Sequence, residues 1–372
     1  MNFEQASVLL TPGPVQLERS VLSAIMGAGH LHHRMPEFLE LVESSHRKLE
    51  QLFDIPADYD EIFLGCSGTG MVEAMLRNYH ALGKGRVLCL VNGHFGSRLF
   101  NMASKLGMEP SCLTVAEGQH FDLEDLERFV LEQPDITAIA VVHLETSVGH
   151  VNALAVLSQY CEARELDLLV DMVSSLSGEP FTFADIRPSI SVSVSGKAIG
   201  ALPGIGIAFV REDISAQLKH SSMKEHYFSF ANYIDAKARH RATPFTPPVH
   251  LFPALDRALQ LTIDEGLESK LQRHKQGIQL LERMALSHGF EVQKAETPSY
   301  TTRTFHYDPR SHAKFDEFKS LLNRFHFVPL QNPITQRDKG QFQLSSMGYL
   351  PLSMLKKLES DLQSLVELEC YA

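Results

Sequence analysis

The sequence predicts an α/β fold: a large domain on a mainly parallel sheet of seven strands, followed by a smaller C-terminal α+β domain. Three observations predict it. Seven short apolar runs occur between about residues 60 and 210, with amphipathic stretches between them. A long helical pattern then covers 249–288 and is interrupted near Gly266. Beyond Phe290, strand-like and helix-like stretches alternate twice.

The apolar runs are 61–64, 86–91, 111–115, 138–142, 168–171, 190–194 and 207–210. Their length and flanking turn residues suit buried strands. Between them, 70–81, 96–106 and 154–166 carry apolar residues at helical spacing. Strands alternating with crossover helices imply a parallel sheet covered on both faces, with ligands at the carboxyl ends of its strands. In the C-terminal part, 300–307 and 341–345 read as strands, and 313–325 and 351–366 as helices. The expected division is an N-terminal segment 1–15, a large domain 16–265 and a small domain 266–372. A chain of 372 residues suits about two domains.

Composition narrows the function. Acidic residues outnumber basic ones, 45 against 34, for a formal charge of −11, and no dense Lys/Arg block appears. Nucleic-acid binding needs such a basic surface, so it is not expected. No apolar run approaches the roughly 18–20 residues of a spanning helix, and the first 14 residues lack a signal-peptide pattern. Five cysteines (Cys66, Cys89, Cys112, Cys161, Cys370) are widely spaced, with no CxxC and no Cys/His pair at metal spacing. A cytoplasmic, reduced, metal-free protein is expected.

Several strand ends carry groups with chemical potential. Cys66-Ser67-Gly68-Thr69-Gly70 follows a strand and opens a helix, where free N–H groups and the helix dipole suit a phosphate. An ordinary turn would use the glycine equally well, and no P-loop spacing is present. Phe95, in Asn92-Gly93-His94-Phe95-Gly96, can stack on a planar ring or simply fill a core. His143-Leu144-Glu145-Thr146-Ser147 offers a hydroxyl and an acid at the sheet edge. Asp171 ends the run Leu168-Leu169-Val170-Asp171, where a carboxylate can hold a pyridine nitrogen protonated or merely cap a turn. Lys197 sits among small residues in Ser195-Gly196-Lys197-Ala198 and precedes a glycine-rich passage, a setting unusual for a surface lysine. Each group alone has a structural explanation; in order, they suit one planar, phosphorylated cofactor.

With these motifs the chain resembles the class-V aminotransferases of pyridoxal-phosphate (PLP) fold type I, in the alanine–glyoxylate and 2-aminoethylphosphonate–pyruvate branch. The likeness begins at Leu10-Thr11-Pro12-Gly13-Pro14 and His33-Arg34-Met35-Pro36-Glu37-Phe38, and runs on to Pro203-Gly204-Ile205-Gly206 and Thr246-Pro247-Pro248. It implies that Lys197 holds the cofactor as a Schiff base and moves the substrate proton, and that Asp171 pairs with the ring nitrogen. It further implies Phe95 stacked on one ring face and Val173 on the other, Thr146 by the ring hydroxyl, and Ser67, Gly68 and Thr69 on the phosphate. The implied assembly is a homodimer with shared active sites, Thr246 reaching the other subunit's phosphate. The implied partners are an amino-acid or amine donor and a small 2-oxo acid or aldehyde acceptor.

Two departures stand out. Gly196 replaces the Gln or Asn usual before the lysine, and Gln343, in Phe342-Gln343-Leu344-Ser345, replaces the arginine that clamps the substrate's α-carboxylate. Gln offers only neutral hydrogen bonds, a loss of about 1–3 kcal/mol of recognition. Either another arginine serves (Arg34 first, then Arg303 or Arg241), or the substrate lacks an α-carboxylate, or transamination has been lost. A PLP-dependent lyase or desulfurase, or a catalytically altered PLP-binding homologue, is the alternative expectation.

Overall fold

The structure is a computed structural model in which residues 7–221, 223, 226–331 and 337–370 are described, the last six by their backbone alone. The central sheet has seven strands, in the order Tyr59–Gly65, Ile205–Arg211, Ile190–Val194, Asp167–Asp171, Ile136–Val142, Arg86–Val91 and Ser111–Thr114. All seven expected runs fall in it. Only Ile205–Arg211 runs antiparallel, pairing with Tyr59–Gly65 on one side and Ile190–Val194 on the other. The other six therefore end at one edge of the sheet, which gathers the turns that follow them.

Both faces are apolar because side chains alternate. Leu168 and Val170 enter one core while Leu169 enters the other. Helices Gly68–His80 and His94–Lys105 cover one face with Met71, Met75, Tyr79 and Leu99. Helices Pro36–Phe53, Leu154–Ala163 and Phe252–Glu265 cover the other with Phe38, Leu49, Leu157 and Phe252.

A third core lies between helix Leu267–Ser287 and the antiparallel strands Glu291–Val292, Thr302–His306 and Gln341–Ser345. Phe305, Phe315, Phe318 and Phe342 fill it. Gly266 separates Phe252–Glu265 from Leu267–Ser287 at φ 82°, a left-handed conformation that glycine adopts without steric cost. Residues 7–15 are not a separate segment: Val8–Leu10 pairs in parallel with Phe327–Pro329, and Leu10 is buried in this third core.

Glu179 ties the two parts together. Its buried carboxylate accepts hydrogen bonds from Tyr300 N–H (2.8 Å), Thr301 Oγ1 (3.0 Å) and Ser299 Oγ (2.5 Å), and burial pushes its pKa up to about 7. Glu179→Ala leaves those donors buried and unpaired. It is expected to destabilise the protein by about 2–4 kcal/mol. Thermal unfolding checks this; an unchanged midpoint would show that water replaces the carboxylate at no cost.

Candidate active site

Ser67 caps helix Gly68–His80, its Oγ accepting from Gly70 N–H at 3.2 Å. The N–H groups of Gly68 and Thr69 have no acceptor among the described residues. This first turn therefore presents free donors and the positive end of the helix dipole to whatever lies before it. A Cβ at Gly68 would lie 2.7 Å from Val173 Cγ1, so the turn can approach the end of the Asp167–Asp171 strand only as glycine.

Antiparallel neighbours need no crossover helix, so a short loop joins Ile190–Val194 to Ile205–Arg211. Lys197 sits on that loop, and its Nζ donates to Pro12 O at 2.6 Å. Burial lowers its pKa to about 8; Asp171 opposes the shift and the Arg98 charge adds to it. At pH 7.4 roughly a fifth of the amine is then neutral, against about one part in a thousand for an ordinary lysine. Small neighbours make the room: a Cβ at Gly13 would lie 2.5 Å from Nζ, and one at Gly196 would lie 2.6 Å from Pro203 Cα. The departure at Gly196 thus has a steric reason, because any side chain there would collide with the returning loop.

Asp171 is buried at its strand end, with Oδ1 accepting from Val173 N–H at 2.9 Å. Burial pushes its pKa up to about 6. Glu145 has a different task from the one the sequence suggested. It turns away from the cavity and accepts from Phe95 N–H (3.0 Å), Gly96 N–H (2.9 Å) and Ser147, capping helix His94–Lys105. That cap fixes Phe95 at the cavity wall. Arg98, one turn further, lies over the Phe95 ring at 4.6 Å and donates to Thr69 Oγ1 at 3.3 Å. It makes no ion pair among the described residues. Sequence reasoning passed over it, since one arginine on an amphipathic helix carries no local signal.

These groups line one cavity of about 270 Å³: Ser67, Gly68, Thr69, Phe95, Arg98, Thr146, Asp171, Val173 and Lys197 all face it. A second cavity, about 310 Å³, shares Gly13, Phe95, Thr146 and Lys197 with the first, and adds His94, Glu117, Lys339, Gln341 and Gln343. Gln343 is largely committed to the protein: its Nε2 donates to Thr146 O (2.5 Å) and Thr304 Oγ1 (3.0 Å). Arg303 pairs with Glu282 at 2.8 Å and faces neither cavity. Arg34, Arg241 and Thr246 are exposed and line neither. None of the four described cysteines lines them either, and the Cys370 side chain lies outside the described residues.

A partly neutral lysine, a carboxylate held ready, an aromatic wall, and N–H and guanidinium donors at one end suit an anionic, planar, carbonyl-bearing cofactor such as PLP. Fold and site together define the class, a PLP-dependent enzyme. The sequence pattern of aminotransferase class-V matches residues 2–323, and the chain belongs to that family; it is a PLP-dependent aminotransferase. It is 30% identical over 351 residues to the 2-aminoethylphosphonate–pyruvate transaminase of Pseudomonas putida, covering 93% of each chain. Alanine–glyoxylate aminotransferase from Nostoc sp. superposes with a TM-score of 0.84 at 26% identity, over 96% of each chain. Ureidoglycine–glyoxylate aminotransferase from Bacillus subtilis superposes with a TM-score of 0.85 at 20% identity, over 97% of this chain and 94% of that one, a likeness of fold.

Proposed function

We propose that this aminotransferase moves an amino group from a small anionic donor, an amino acid or an aminophosphonate, to a small 2-oxo acid such as pyruvate or glyoxylate. The observation that carries it is the meeting of two cavities at Lys197, one fitted to the cofactor and one left for a substrate of a few heavy atoms. The Pseudomonas and Nostoc relatives are named for substrates of this size.

In this reading Ser67, Gly68, Thr69 and Arg98 hold the phosphate, and Phe95 and Val173 cover the two ring faces. Thr146 offers its hydroxyl at the ring's edge. Asp171 keeps a proton on the ring nitrogen. When bound, the cofactor supplies an electron sink for the carbon that loses its proton. Lys197 Nζ would take that proton as a neutral amine and give it back to the cofactor's carbonyl carbon, on the far side of the linking nitrogen, a role that its lowered pKa favours at neutral pH. The active form is a homodimer in which the exposed Thr246 approaches the phosphate site of a second copy.

The test is a panel of donors (L-alanine, 2-aminoethylphosphonate, L-aspartate, L-serine) against pyruvate, glyoxylate and 2-oxoglutarate. A new amino acid formed from pyruvate or glyoxylate is expected with at least one anionic donor. Ammonia release without a new amino acid would instead mark elimination.

A further inference from the structure

A 2-oxo acid, and the anionic amino donor proposed above, each bring at least one anionic group into the substrate cavity. Taking that group out of water is costly unless a cation meets it. Among the described residues the candidates are few, and the exposed Arg34 and Arg241 do not line this cavity. Lys197 is needed at the reacting carbon. Arg98 lines only the cofactor cavity, against Thr69. Arg303 is held by Glu282 and by the carbonyls of Ser299 and Thr302. Arg337 pairs with Asp316 at 3.6 Å. Gln343 carries no charge, and its amide is occupied within the protein.

Lys339 remains. It lines the substrate cavity, where Lys197 is the other lysine, and makes no hydrogen bond or ion pair among the described residues. It sits on the turn that leads into strand Gln341–Ser345, two residues before that strand begins. His94 lines the same cavity. Glu117, the one carboxylate there among the described residues, disfavours an anion on its own side and so restricts where the acid can sit.

We propose that Lys339 is the substrate's anion-binding residue, with His94 as a second donor, and that it sets the preference for anionic donors. This rests on the reading of the second cavity as the substrate site. An ammonium is a compact charge with three rotatable donors and imposes no planar fork. Carboxylate and phosphonate oxygens therefore meet the same requirement, and Lys339 accepts either.

The test uses the holoenzyme in two arms. In the first, the donor half-reaction is followed by the change in cofactor absorbance with 2-aminoethylphosphonate, L-alanine and n-propylamine. The wild type is expected to favour an anionic donor over propylamine. Lys339→Gln should shrink that ratio roughly 10- to 100-fold, mainly through KM, while Lys339→Arg recovers most of it. Which anionic donor loses more tells phosphonate from carboxylate as the natural group. Equal losses for charged and neutral donors, or no preference in the wild type, would overturn the proposal.

The second arm needs no turnover. Binding of methylphosphonate and propionate is read from thermal shifts of the wild type and of Lys339→Gln. Weakened binding in the variant supports the proposal, and equal binding in both overturns it. Intact anion binding in an enzyme that transfers from none of the donors would instead count against the donor reading, so the two failures can be told apart.

Discussion

Lys197→Ala is expected to lower kcat by at least about 10⁴-fold while leaving a folded protein that still takes up the cofactor reversibly. The side chain packs beside Gly13 and the loop around Pro203, and its one hydrogen bond is to Pro12 O. Alanine leaves a slightly larger cavity and one carbonyl that water can reach, so the cost to stability is small. Chemistry loses far more. Among the described residues no other amine lies in the part of the cavity where Asp171 and Phe95 also converge, and Arg98, the other nitrogen base there, stays protonated at any working pH. Residual turnover should therefore respond to added small amines such as methylamine, which can enter the vacated space. Stopped-flow absorbance and product analysis would check both points. A variant that turns over within tenfold of the wild type would remove Lys197 from the mechanism.

The sequence displayed the large sheet because each of its strands is a continuous apolar run bounded by turn residues, as in 86–91 and 138–142. It displayed Asp171 and Lys197 because the first ends such a run and the second closely follows one, where the direction of the strands brings every following turn to one edge. Contacts between distant segments left no such trace. Val8–Leu10 is three residues long and pairs with Phe327–Pro329 more than 300 positions away, with no periodicity to announce it. Glu145 looked like a group for a ligand because it, too, follows a strand. Its real partners are the N–H groups at the start of His94–Lys105, and the turn between them has no capping residue of its own: Gly93 offers no side chain. Arg98 and Lys339 each enter a cavity through a single long side chain, and one charge on a helix or turn looks like solvated surface. Gln343 was legible as an unusual residue but not in its consequence. Only the structure shows its amide spent on Thr146 and Thr304, which passes the question of charge recognition to another residue.

Asp171→Asn is expected to lower kcat/KM by about 10²–10³-fold, the cost of removing one preorganised charge from a site. The shape is kept, because the asparagine oxygen can still accept from Val173 N–H at the strand end. What is lost is the negative charge that holds a proton on the ring nitrogen, and with it the pull on electrons from the reacting carbon. The same substitution should make the cofactor-free protein more stable. Burial pushes the Asp171 pKa up to about 6, so the fold favours the neutral carboxyl. The stability this group contributes is full below the unfolded value near 3.9 and is lost as pH rises through about 6. Asparagine is neutral throughout, so its advantage over aspartate should grow between about pH 4 and 6, to the order of 2–3 kcal/mol, and then level off. With cofactor bound, a protonated ring nitrogen would compensate the buried charge and the advantage should shrink or reverse. Melting curves of both proteins across this range, with and without cofactor, would test the argument. A stability difference that ignores both pH and cofactor would mean that Asp171 carries no unpaired charge to be neutralised.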